Sequence, residues 1–148
     1  MKRIFTFALV LLICTACLAS CAQVEQKIGE VVSVAAVDAV ASQFEENDAP
    51  FERADEQGLA DIRAALTQEY ELALQGNVTA ALIGGETNEQ TGEWVKYWVL
   101  GFDTTADAEA FEQLASAQLQ SEISENKAVI VGGGYIVSIT VSSLVIEQ

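Results

Sequence analysis

Glu93-Trp94-Val95-Lys96-Tyr97-Trp98-Val99-Leu100-Gly101-Phe102 is the stretch on which the fold turns. It is dense in tryptophan, valine and tyrosine, the aromatic and β-branched types that suit a pleated surface. Side chains alternate across a strand, so Trp94, Trp98, Leu100 and Phe102 share one face and Val95, Tyr97 and Val99 the other. Both faces are largely apolar, which predicts an interior strand covered on each side. Just upstream, Val78 to Ile83 is a shorter apolar run ended by Gly84-Gly85. The polar loop 86–93 joins the two runs, and together they predict a hairpin.

Working outward, the same rhythm recurs near the C-terminus. Ala128 to Val131, then Gly132-Gly133-Gly134, then Tyr135 to Val141 predicts a second hairpin with a glycine turn. Between the hairpins, Asp103-Thr104-Thr105 supplies helix N-cap candidates, and Asp107 and Glu109 sit in the following first turn. That helix is expected to run to about Glu122, with Phe111, Leu114 and Ala115 inward and Leu119 and Ile123 drifting off the line.

Two more helices are expected before the first hairpin. Residues 24–44 carry Val24, Ile28, Val31, Val32, Ala35 and Ala39 at helical spacing, read as a core-packing stripe. A membrane-lying role is the alternative, left open by how soon the stretch follows the N-terminal segment, though it lacks the basic polar face usual in helices that lie on membranes. Glu45 to Pro50 breaks it with three acids and the only proline. A second helix is predicted from Phe51 to Gln75, with Leu59, Ile62, Leu66, Tyr70 and Ala73 on one stripe and Gly76-Asn77 as its stop. The expected order is α-α-β-β-α-β-β: a four-stranded antiparallel sheet from two hairpins with helices packed on it, in an α+β domain.

At the other end, Lys2 and Arg3 precede an apolar run over residues 4–13, and Leu18-Ala19-Ser20-Cys21 follows it. The whole segment resembles the signal peptide and lipobox of a bacterial lipoprotein. Residues 4–19 are apolar over 16 positions, short of the roughly 20 that span a bilayer core. Cys17 follows Cys14-Thr15-Ala16 and lacks the leucine a lipobox prefers, so Cys21 is the better match. The resemblance implies cleavage between Ser20 and Cys21, a diacylglycerol thioether on Cys21 and, in many bacteria, an amide-linked acyl chain such as palmitate. It divides the chain into a signal peptide, 1–20, and a single acidic domain, 21–148. It implies a lipid-anchored envelope protein, on the outer membrane facing the periplasm in a Gram-negative cell or on the outer face of the plasma membrane in a Gram-positive one. Ala22, rather than aspartate, favours the outer membrane by the same analogy.

Cleavage would leave five basic and 22 acidic residues, a net charge of −17. Such a field repels nucleic acid and anionic headgroups. The chain has no histidine, and its three cysteines all fall within the export and lipid segment. Ser-His-Asp triads, Cys-His nucleophiles and His/Cys zinc sites therefore have no residues to build them in the mature domain. No cofactor or metal site is predicted. Glu86, Glu89 and Glu93, with Asn88 among them, offer oxygens for weak Ca²⁺ binding, but their spacing fits no EF-hand. A carboxylate-dependent hydrolase would need two acids converging in a cleft, for which a small four-stranded domain has little room.

The sequence supports two readings above that one. The first is a non-enzymatic binding or adaptor module for an unknown envelope protein, held to membrane lipid through Cys21. The second is a binder of a small ligand or glycan using Trp94 and Trp98, with or without Ca²⁺. Trp94 and Trp98 are four apart on a strand and point the same way, so exposed rings would form a stacking platform. Packed under a helix, they would be core.

Overall fold

A computed structural model describes residues 25–146. Its elements, in chain order, are α1 (25–46), β1 (Phe51–Arg53), α2 (Glu56–Tyr70), β2 (Val78–Thr87), β3 (Trp94–Phe102), α3 (Thr105–Gln118), α4 (Gln120–Ser124), β4 (Ala128–Gly133) and β5 (Ile136–Ser142). The strands form one antiparallel sheet in the order β1-β2-β3-β5-β4, so β3 is central as its two apolar faces predict. The fold is α+β, with five strands rather than four.

The extra strand is β1, where the sequence predicted the start of a helix. Pro50 fixes its own φ and cannot donate to a ladder, so the chain leaves it extended. Phe51, Glu52 and Arg53 then pair with Gly84, Ile83 and Leu82. The helix starts only after Asp55, whose carboxylate accepts a 2.8 Å hydrogen bond from the Gly58 amide. It ends at Tyr70, because Glu71 turns left-handed at φ 55°, and the irregular chain that follows brings Leu72 and Leu74 into the core. β2 also runs past its expected end, through Gly84-Gly85 to Thr87. A Cβ on Gly84 would lie 2.2 Å from the Tyr97 ring and 2.4 Å from the Pro50 carbonyl oxygen. Glycine here makes room for a close approach within the sheet and does not end the strand.

The face bearing Trp98, Leu100 and Phe102 is covered by α2 and α3, with Ile62, Leu66, Phe111, Ala115, Val137 and Ile139 among the buried partners. Thr104 caps α3 by accepting from the Asp107 amide, one of the three cap candidates. The expected single helix breaks at Leu119, and the break turns both Leu119 and Ile123 toward the core. Leu114, expected inside, is exposed.

The opposite face carries α1, and this helix is rotated from its predicted setting. The stripe Ile28, Val31, Val32, Ala35 and Ala39 faces away from the sheet. Gly29, Ser33, Val37 and Ala41 face inward instead and are buried. They recur every four residues, and their small side chains let the helix lie close on Leu82, Val99 and Gly101. Ser33 is fully buried, and its hydroxyl shares a 2.6 Å hydrogen bond with that of Thr79.

Trp98 is 2% exposed, and its ring meets Tyr70 of α2 edge-on at 5.7 Å. Its indole Nε1 has no hydrogen-bond partner among the described residues. An unpaired buried donor costs about 1–3 kcal/mol, whereas truncating a buried tryptophan to alanine costs about 3–5 kcal/mol. Trp98→Phe is therefore expected to stay within about 1 kcal/mol of wild-type stability while Trp98→Ala loses several times that. Urea unfolding followed by circular dichroism compares the two.

Candidate functional site

α1 lies mainly over β2 and β3, touching β5 through Ile136, which leaves most of the same face of β5 and β4 uncovered among the described residues. The result is a groove of about 480 Å³ between the flank of α1 and the open half of the sheet. Val40, Gln43 and Phe44 of α1 form one wall, with Ala49 from the turn that follows. Tyr97, Val99, Ser138 and Thr140 form the floor, and Val131 and Ile136 close the far side. By strand alternation Trp98 and Gly132 contribute main chain only, their side-chain positions being on the other face.

The sequence builds this groove from a simple pattern. β5 alternates, with Val137, Ile139 and Val141 buried toward α3 and Ser138, Thr140 and Ser142 toward the groove side. Small hydroxyl side chains give a low floor that an aromatic partner side chain can lie on. Val131, paired with Ser138, is 60% exposed and leaves an apolar rim.

An aromatic cluster fixes the end of the groove nearest Pro50. Phe44 packs edge-on against Tyr97 at 5.1 Å and tilted against Phe51 at 5.7 Å. The Tyr97 hydroxyl donates to the Pro50 carbonyl. Burial, and next the charge of Glu86, push this phenol above its ordinary value, so it stays neutral and keeps donating through physiological pH. Asp38 of α1 and Arg53 of β1 form an exposed ion pair on the same side. Such exposed pairs contribute little stability.

The residues proposed from sequence fall elsewhere. Ser20 and Cys21 lie outside the described residues. Trp94 and Trp98 do share a face, but Trp98 is enclosed beneath α2, so the two rings make no exposed platform. Trp94 is half-buried at the margin of the core, with the Lys96 ammonium 5.6 Å from its ring centre. In the β2–β3 loop, Asn88 accepts from the Gln90 and Thr91 amides and the Thr91 hydroxyl donates to Glu93. Glu86 is a residue of β2 paired with Val95, Glu89 lies in the turn and Glu93 accepts from Thr91, and among the described residues no three His, Cys, Asp or Glu side chains come together as metal ligands.

A second polar feature joins α1 to the sheet end. Asp103 is buried, and its carboxylate accepts from the Asn77 amide at 3.0 Å and the Gln26 amide at 3.3 Å. Gln26 ties the start of α1, and Asn77 the chain entering β2, to the end of β3, so the site reads as a fastening. Among the described residues no helix is long and apolar enough to cross a membrane. Comparison of the chain with protein-family models, curated proteins and solved structures finds no match.

Proposed function

We propose that this protein is a lipid-anchored envelope protein that acts without catalysis, as a binding module for another envelope protein. In this reading Cys21 carries the lipid, and the groove beside α1 receives an apolar side chain or short segment of the partner. The groove is the observation that carries the proposal: it is concave, mostly apolar, and has a few hydroxyls placed to orient what enters. The net charge of −17 on residues 21–148 selects a neutral or basic partner.

The experiment is a pull-down from solubilised envelope with the acylated protein and with Thr140→Trp, which fills the groove floor. Tryptophan suits a strand, and Thr140 is only partly buried, so the variant is expected to fold. A specific partner recovered by the wild type and reduced at least about tenfold by Thr140→Trp supports the proposal; one binding event lost by that factor corresponds to about 1.4 kcal/mol. Equal recovery by both proteins removes the groove from the account. Cys21→Ser is expected to move the protein from the membrane to the soluble fraction, or to stall its processing.

The groove volume also favours a second reading. About 480 Å³ lies within the range of small-molecule sites, and an apolar small ligand would use the same walls. Acquired protection of Tyr97 and Phe44 on ligand addition, without any protein partner, would select it.

A further inference from the structure

The outward face of α1 has a use that its predicted role in the core would not allow. Ile28, Val31 and Val32 are 54%, 70% and 42% exposed, and Ala35 and Ala39 continue the same stripe. We infer that this stripe rests on the surface of a phospholipid bilayer with zwitterionic headgroups, holding the domain against the membrane by α1. The inference rests on the proposal that Cys21 is acylated.

Position argues for this occupant. Only residues 22–24 separate Cys21 from the first described residue of α1. Four chain steps reach at most about 14 Å, so a lipid on Cys21 brings the first turn of α1 to the headgroup layer. The stripe from Ile28 to Ala39 then extends about 16 Å along the helix from that point. Tethering replaces a bimolecular encounter with a local concentration on the order of millimolar, so a stripe of small aliphatic side chains needs no basic residues to stay in contact. This answers the one feature that α1 lacks among interfacial helices, a cationic polar face.

Charge decides against the competing occupant. A second copy would bring another −17 to the stripe, with Glu25 and Glu46 exposed along the same helix. Like charges facing each other oppose that pairing, whereas a zwitterionic surface carries no net charge. Anionic lipid is disfavoured for the same reason.

The groove lies on the same side of the sheet as α1. With α1 on the bilayer, the groove opens toward the membrane, and its partner would approach along the membrane surface.

The test uses the full chain, exported and acylated in bacteria, then reconstituted in phosphatidylcholine vesicles. An environment-sensitive fluorophore is attached at Val31→Cys, and in a second protein at Gln113→Cys, exposed on α3 across the sheet. The expected result is blue-shifted emission at position 31, quenched by brominated lipid, and water-like emission at 113. An acylated Cys21 by intact mass with water-like emission at both positions overturns the α1 contact and leaves the anchor standing. An unmodified Cys21 overturns the anchor and the contact together. Shielding at position 31 that needs no lipid and rises with protein concentration, with dimers in sedimentation, assigns the stripe to a second copy and overturns the inference.

Discussion

Gly29→Val is expected to lift α1 from the sheet and lower stability by about 3 kcal/mol, with Gly29→Ala close behind. A Cβ at position 29 would fall 1.8 Å from the carbonyl oxygen of Asp103 and 2.8 Å from its carbon. Those are main-chain atoms, and the junction they belong to is tied on several sides. The Asp103 amide donates to Asn77, and the Phe102 amide donates to Tyr135 at 2.8 Å. The helix must therefore move rather than the strand. Overpacking a tight contact costs about 1–3 kcal/mol, and separation would also expose Val37, Ala41, Leu82 and Val99 and break the Ser33–Thr79 hydrogen bond. Because these side chains form a cluster separate from the main core, α1 is expected to open while the rest of the sheet holds. Hydrogen exchange should show residues 25–46 losing protection and β3 keeping it. Wild-type stability in Gly29→Ala would refute the close approach.

Phe102→Ala is expected to have the opposite signature, a loss of about 3–5 kcal/mol shared by the whole domain. Phe102 is the largest of the fully buried side chains, at the end of the central strand, and its ring lies 5.7 Å from that of Phe111. Alanine leaves a cavity between β3 and α3 that their backbones are too constrained to close. Native domains hold about 5–15 kcal/mol in total, so this one change removes a large share. Urea unfolding should give a lower midpoint with an unchanged slope, and exchange should rise together in α1, β3 and α3. Phe102→Leu keeps most of the volume and should cost less than half as much. Together, Gly29 and Phe102 test whether the two sides of the sheet are separate cooperative units.

What sequence could show follows from where the physics is local. The apolar run of β3, the hairpin of β4 and β5 and the Thr104 cap are properties of neighbouring residues and were legible, although the turn falls at Gly134-Tyr135, and Gly132-Gly133, expected within it, extend β4. β1 was not: Phe51-Glu52-Arg53 is too short to show a period and is a strand only because β2 offers it a partner. α1 misled for a related reason. Its bulkier aliphatic stripe dominates the periodicity, yet the inward face is the one with Gly29, Ser33, Val37 and Ala41, because close docking rewards small side chains. Trp94 and Trp98 were correctly placed on one face, but whether that face was open depended on where α2 settled. The groove was half visible in Ser138, Thr140 and Ser142. Nothing in those residues says that α1 stops short of covering them.

The outer strand β4 has one further consequence. Val129, Ile130 and Val131 lie on the outer strand, unpaired on one side among the described residues, without a charge or a proline. Bare edges of this kind join readily to one another, and proteins often guard them with lysine, a bulge or a covering loop. Here the surplus of carboxylates, 22 acidic against seven basic residues, opposes the approach of copies, a protection of range rather than of shape. It weakens as salt shortens that range to a few ångströms and as acid neutralises the carboxylates. Colloidal stability in this molecule is thus a property of its solvent as much as of its fold.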